Sequence, residues 1–213
     1  MKKKILLSAM LAVLMGFNIQ QEKIKIVCFG DSITHGAGVE GKGWVEKLSA
    51  RFDNINFVNA GRNGRKTSDL DELQPVIDGN RDADYFIIML GVNDLKNGND
   101  SLVANCVRNV DSMLSQIKSE IPSAKVIIAS PCNINLETMN EINRKKLYNE
   151  ATQASLIKLN EEYKKLAERR SAGFIQLYGK VSPENFWDGL HPNEKGHEEI
   201  ADAVAEFISA MIK

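Results

Sequence analysis

Three observations predict an α/β fold built on a five-stranded parallel sheet with helices on both faces. Five short apolar runs alternate with stretches of helical periodicity along the chain. The central runs are continuous rather than alternating, as expected for strands covered on both sides. Strand-then-helix alternation repeated five times implies right-handed crossovers in one sheet. The loops after the first three runs should then open on one edge of that sheet, where open α/β folds build their sites.

The first run, residues 24–29 (IKIVCF), ends in Gly30-Asp31-Ser32-Ile33-Thr34. Gly30, with Gly36 and Gly38 beyond it, suits a tight backbone of close approach. A serine just past a strand is well placed for chemistry, although serine is equally a helix N-cap. Residues 44–52 carry apolar positions at helical spacing and read as the next helix. Residues 55–58 form a second short strand, ending in the turn Asn59-Ala60-Gly61-Arg62-Asn63-Gly64. Thr67-Ser68-Asp69 can cap a helix running to about Ile77. Residues 85–90 (YFIIML) make the third strand, at the sheet centre, followed by Gly91-Val92-Asn93-Asp94. A long helix is expected over residues 100–119, with Val103, Val107, Val110, Leu114 and Ile117 on one stripe.

The fourth strand, residues 125–130, is closed by Pro131, and residues 132–141 are a polar connection. One helix is expected from about residue 143 to 170, with Leu156, Leu159, Tyr163 and Leu166 as its apolar face. Residues 173–178 are the fifth strand. Trp187-Asp188-Gly189-Leu190-His191-Pro192-Asn193 then leads into a final helix over residues 194–212.

Composition sets the broad class. The chain has 213 residues, 43% hydrophobic and 26% charged, which suits a single globular domain with a substantial core. Its net charge is −1, and no basic block follows the first four residues, so no nucleic-acid footprint is present. No linker or internal repeat divides it. Lys2-Lys3-Lys4 followed by the apolar run from Ile5 to Phe17 has the form of a secretory signal peptide, and the run is too short for a membrane span. Residues 1–20 are therefore expected to be a signal and 21–213 the functional domain. An exported mature protein, periplasmic or secreted, is expected to start after the apolar run and to carry a charge near −4 once three lysines are removed. The rival reading of this segment is an amphipathic or buried helix. Cys28, Cys106 and Cys132 lack metal-ligand spacing and read as small buried hydrophobes, with at most one disulfide among them.

The three loops, with the one after the fifth strand, hold the parts of an acyl-transfer site. Such chemistry needs an activated hydroxyl, a base and donors for a developing oxyanion. Ser32 offers the hydroxyl. Its own N–H, the N–H of Gly61 and the side-chain amide of Asn93 offer three donors, and a glycine at 61 would let the backbone approach substrate closely. Of His35, His191 and His197, His191 is chosen as base, because Asp188 three residues earlier can reach its ring and set the tautomer. His35 could line the site or face solvent, and His197, inside the last helix, reads as structural. The plainer reading of Asp188 and His191 is a local turn pair with a capping role. Arg62 and Arg65 are the only obvious cations near the site.

Gly30-Asp31-Ser32-Ile33-Thr34, Gly61 in its turn, Gly91-Val92-Asn93-Asp94 and Asp188-Gly189-Leu190-His191-Pro192-Asn193 resemble, in order, the four sequence blocks of the SGNH hydrolases, also called GDSL esterases and lipases. The blocks span residues 30 to 193. The first block has isoleucine where leucine is usual, a mild change. The Gly-x-Ser-x-Gly elbow of α/β-hydrolases is absent around Ser32. The resemblance implies a flavodoxin-like three-layer α/β/α sandwich with Ser32 as nucleophile, His191 as base and Asp188 as orienting acid. It implies Ser32, Gly61 and Asn93 as oxyanion donors, and neither a metal nor an organic cofactor.

The expected function is that of a serine esterase acting through an acyl-enzyme on a small-molecule or glycan ester. Short polar site loops and the absence of a lid-like insertion favour an acetyl group on carbohydrate. Lysophospholipase or thioesterase activity on lipid acyl groups is the alternative within the family. A catalytically silent glycan-binding protein on the same fold is a second class. A phosphate cradle at Gly30 to Gly38 is a third, weakened by the absence of both P-loop and Gly-x-Gly-x-x-Gly spacing.

Overall fold

The computed structural model describes residues 23–212, and the expected signal segment lies outside them. Five parallel strands form one sheet in the order β2-β1-β3-β4-β5: β1 (Ile24–Gly30), β2 (Ile55–Gly61), β3 (Tyr85–Met89), β4 (Lys125–Ala129) and β5 (Gly173–Ile175). This is the doubly wound order whose switch point lies between β1 and β3. The register sets Gly30 level with both Gly61 and Met89, so three strand ends finish side by side. The expected α/β/α sandwich is thus the observed architecture.

Alternate residues of each strand feed two separate cores. Ile26, Cys28, Ile87, Met89 and Ile127 pack under α2 (Trp44–Arg51) and α7 (Glu194–Met211). Val27, Phe29, Phe86, Ile88 and Ile128 pack under α3 (Leu73–Asp78), α4 (Asp100–Glu120) and α6 (Glu150–Arg170). The stripe expected on α4 is buried at Val103, Val110, Leu114 and Ile117, joined by Cys106 and Met113. All three cysteines are buried and free. Burial pushes the Cys132 thiol up to about 12 and raises those of Cys28 and Cys106 further, so none is poised as a thiolate. No helix among the described residues is long and apolar enough to cross a membrane.

Five local expectations differ, the first being the fifth strand, expected over residues 173–178 but paired only over Gly173–Ile175. A one-turn helix, α1 (Ser32–His35), begins immediately after β1, because Asp31 caps it through its own carboxylate. Strand β2 runs on to Gly61, since the Asn-Ala-Gly stretch still pairs with β1. Thr67 and Asp69 do not cap a continuous helix: residues 70–72 form a 3₁₀ turn, with α3 following it. The single helix expected from residue 143 is broken in two, α5 (Glu141–Lys145) and α6. Leu147 between them takes a left-handed φ of 68°, and Asn149 closes a capping box with Thr152 that starts α6 afresh.

Candidate active site

Ser32 stands at the first helical position of α1, where a backbone N–H has no intrahelical acceptor. Asp31 supplies the cap, its Oδ1 accepting from the Ile33 N–H at 2.9 Å. The Ser32 hydroxyl lies 3.0 Å from His191 Nε2, across 159 residues of sequence.

The loop carrying His191 is shaped by Asp188. Its Oδ1 accepts from the backbone N–H groups of Leu190 (3.0 Å) and His191 (2.7 Å), closing an Asx turn. The Trp187 N–H donates to the His191 carbonyl at 3.1 Å, and Phe186 bridges Pro192, so the loop is pinched at its base. Asp188 Oδ2 faces His191 Nδ1 at 2.8 Å and accepts from Asn143 Nδ2 at 2.9 Å. Burial alone would raise this carboxyl, but the hydrogen bonds and charge of His191, with the Leu190 N–H, outweigh it and hold it at about 2. An ionised Asp188 can only accept, so His191 Nδ1 carries the ring proton. Nε2 is then left as the acceptor for the Ser32 hydroxyl.

The three expected oxyanion donors are placed unequally. Asn93 is buried beside the site. Its Oδ1 accepts from the Tyr148 hydroxyl at 2.8 Å, while Nδ2 donates to the Arg65 carbonyl at 3.1 Å and makes a longer contact to Asp31 Oδ2 at 3.5 Å. Tyr148 thus fixes the amide with its NH₂ end turned toward Asp31 and Ser32's cap. Gly61 reaches the same sheet edge, but its N–H donates to Asn59 Oδ1 at 3.0 Å, and it must share or leave that acceptor to serve an oxyanion. The need for glycine here also has a different origin from the one expected. A Cβ at position 61 would lie 2.2 Å from the His35 N, so it is the backbone of α1, more than substrate, that excludes a side chain.

The two nearby cations are already engaged. Arg62 is paired with Asp69 at 2.8 Å and with Glu72. Arg65 is buried, lies over the Phe29 ring at 4.1 Å, and ties Glu72 to the carbonyls of Gly30 and Ala60. It is a brace across the ends of β1 and β2.

His35 is exposed on α1, and His197 is fully buried with its Nδ1 accepting from the Trp44 N–H at 3.3 Å. Burial lowers His197 from 6.5 to about 4, and burial raises Asp31 from 3.8 to about 6. A buried neutral histidine contributes stability that is present above 6.5 and lost as pH falls toward 4. A buried carboxyl does the opposite, losing stability as pH rises from 3.8 toward 6. Over this window the two act against each other, each by about 2 kcal/mol between about pH 6.5 and about pH 4.5. Asp31→Asn removes one side of that balance. Its urea-unfolding free energy is expected to fall more steeply on acidification than the wild type's, by about 2 kcal/mol across that interval. Parallel curves for the two proteins would contradict this.

Asp31, Asn143, Tyr148 and Trp187 complete the site; Asp31 lies within the first sequence block but was given no role there, and Asn143 and Tyr148 belong to no motif. Asn143 and Tyr148 belong to the α5 region, which reads as plain helix. Trp187 was visible only as a neighbour of Asp188, and its ring stacks on His191 at 5.6 Å between centroids and 18° between planes.

Comparison with known proteins agrees with this fold. A family model described as "GDSL-like Lipase/Acylhydrolase" matches residues 26–204. No curated protein matches the chain. Among solved structures, an aryl esterase of M. smegmatis is 21% identical, with a TM-score of 0.77 over 88% of this chain and 99% of that one. A carbohydrate acetylesterase from Sinorhizobium meliloti is 20% identical, with a TM-score of 0.76 over 89% and 100%. A member of the lipolytic G-D-S-L family from Veillonella parvula is 24% identical, with a TM-score of 0.68 over 86% and 97%. At these identities the structural likenesses establish the shared fold.

Proposed function

The chain belongs to the GDSL-like lipase/acylhydrolase family of carboxylic ester hydrolases, and on that premise we propose that it is a serine esterase for short acyl groups, acetyl foremost. One observation carries the mechanism: Ser32 Oγ, His191 Nε2, His191 Nδ1 and Asp188 Oδ2 form an unbroken hydrogen-bonded series. Ser32 Oγ attacks the ester carbonyl while its proton passes to His191 Nε2, and the ionised Asp188 stabilises the imidazolium. The Ser32 N–H and Asn93 Nδ2 receive the oxyanion, with Gly61 as a third donor if it releases Asn59. The tetrahedral intermediate collapses, the alcohol leaves with the proton from His191, and acyl-Ser32 remains. Water, deprotonated by the same Nε2, then releases the acid and restores the serine.

The acyl preference is supported by the surroundings. A concavity of about 360 Å³ next to Trp187, which stacks on His191, is lined by Glu40, Lys42, Asn193 and Glu194 together with Gly38, Val39 and Trp187. A larger one, of about 710 Å³, lies at the opposite end of the sheet by Tyr85, Lys125 and Gly173. The charged and polar share of that lining supports a short acyl group over a long alkyl chain. On a series of p-nitrophenyl esters, kcat/KM is expected to be highest for acetate and to drop steeply with chain length. A rise toward octanoate would move the reading to lipid or thioester substrates, and the absence of turnover on every ester would favour a glycan-binding protein.

A further inference from the structure

Strand β5 starts level with Ile127, so Lys125 and Val126, the first residues of β4, pair with β3 on one side only. The ends of three helices surround this notch: Leu114 and Lys118 come from α4, Arg170 from α6, and Phe207 and Met211 from α7. The result is the cavity of about 710 Å³ at the amino ends of β3 and β4, across the sheet from Ser32. Its volume falls within the range of small-molecule sites. Leu114, Ala124 and Ile127 are buried at its floor, and Val126 and Met211 extend the apolar surface. The Phe207 ring forms one wall by resting on the β5 backbone, where a Cβ at Gly173 would lie 2.9 Å from its Cζ.

The rim has one sign of charge. Lys118, Lys125 and Arg170 stand on it, and no acidic residue is among the described residues that line the cavity. Arg170 is paired with Asp111 at 2.6 Å. Lys118 donates to the Pro122 carbonyl and Lys125 lies over the Tyr85 ring at 5.7 Å, and neither makes an ion pair among the described residues. The acids nearest in sequence face elsewhere: Asp84 accepts from the Lys25 N–H at 2.8 Å, and Glu120 pairs with Arg81 at 2.8 Å. The concavity between α4 and α6 is the contrast, since Asp100, Asp111 and Glu162 there offset Arg108, Lys158 and Arg169. A cleft with an apolar floor and cations alone at its mouth concentrates anions.

We infer that this cavity is a second binding site, for an amphipathic carboxylate whose apolar body lies on the Leu114–Ile127 floor and whose head meets Lys118 and Lys125. The site is separate from the esterase reading. It lies at the other end of the sheet, and a free carboxylate has no acyl–oxygen bond to cleave. A cationic head would be repelled by the rim, and a neutral one would gain the floor alone. A molecule seated here touches the ends of α4, α6 and α7 together, so its binding stabilises the folded chain by mass action.

The test is calorimetric titration of the protein with decanoate and with decyltrimethylammonium, each below its micelle concentration. Decanoate is expected to bind saturably, about tenfold more tightly than the ammonium, and to raise Tm. Octanoate should bind about tenfold more weakly than decanoate. The double variant Lys118→Glu, Lys125→Glu should reverse the preference between the two heads. Both side chains are exposed, and a melting curve checks that the variant folds. Should it not fold, Lys118→Gln with Lys125→Gln carries the same test, with the preference abolished rather than reversed. Ser32→Ala should bind decanoate as the wild type does. Equal affinity for the two heads, or no saturable binding, overturns the proposal. So does a preference that survives the charge changes, or decanoate binding that only competes with p-nitrophenyl acetate, which would put the carboxylate at Ser32.

Discussion

Ser32→Ala is expected to reduce kcat on p-nitrophenyl acetate by roughly 10⁴ to 10⁶ while leaving the thermal midpoint close to that of the wild type. The size follows from the role: among the described residues no other hydroxyl or thiol is hydrogen-bonded to His191 Nε2, and all three cysteines are buried with raised pKa values. The neutrality toward folding follows from the local structure. Asp31, and not Ser32, caps α1, and the backbone bonds that Ser32 makes to Gly36 and Ala37 use its carbonyl. Alanine keeps all of these and is a better helix former. Burst kinetics with p-nitrophenyl acetate and a melting curve check the two halves together. A variant that kept a substantial part of its turnover would refute the nucleophile assignment, and one that unfolded would refute the account of α1.

His191→Ala and Asp188→Asn are expected to differ in both size and kind. Without the imidazole no group can take the Ser32 proton, and a loss near 10⁵ to 10⁶ in kcat is expected. The asparagine at 188 preserves shape but not the acceptor set, and a loss near 10³ to 10⁴ is expected. The carboxylate accepts from four N–H groups: Leu190 and His191 backbone, His191 Nδ1 and Asn143 Nδ2. An amide has only one oxygen, so its NH₂ must oppose two of those donors. Asp188→Asn should therefore also lower the melting temperature, whereas His191→Ala, at a half-buried position, should do so less. The same carboxylate, held at about 2, stays charged through the acid range above that value. Equal kcat losses in the two variants, or a more stable Asp188→Asn, would refute the ranking.

The sheet was legible from sequence because each strand is an apolar run bounded by glycine, asparagine or proline, and the spacing of runs leaves room for one crossover helix each. That Ser32, Asp188, His191 and Asn93 would meet at one sheet edge was legible because they stand in loops at the ends of those runs. What escaped was local competition. Residues 143–170 have uninterrupted helical composition, yet Asn149 offers the backbone a cap, and the left-handed Leu147 ends α5 before it. That break matters to the site, since Asn143 and Tyr148 flank it and reach Asp188 and Asn93. Gly61 reaches the expected sheet edge, but its closest neighbour is the backbone of α1, a contact that periodicity along one chain segment cannot reveal.

The Arg65 brace has a consequence for the energetics of the reaction. Its guanidinium fixes the carbonyls of Gly30 and Ala60, and its own carbonyl holds Asn93 Nδ2. The Tyr148 hydroxyl locks the opposite end of the same amide. On the proposed mechanism, the Asn93 donor is therefore oriented by the folded scaffold before any negative charge appears. In water, dipoles would have to turn toward a forming oxyanion, and that turning is a large part of the uncatalysed barrier. If the proposed mechanism holds, Asn93 makes that adjustment once, when the chain folds, and each later turnover meets its amide already in place.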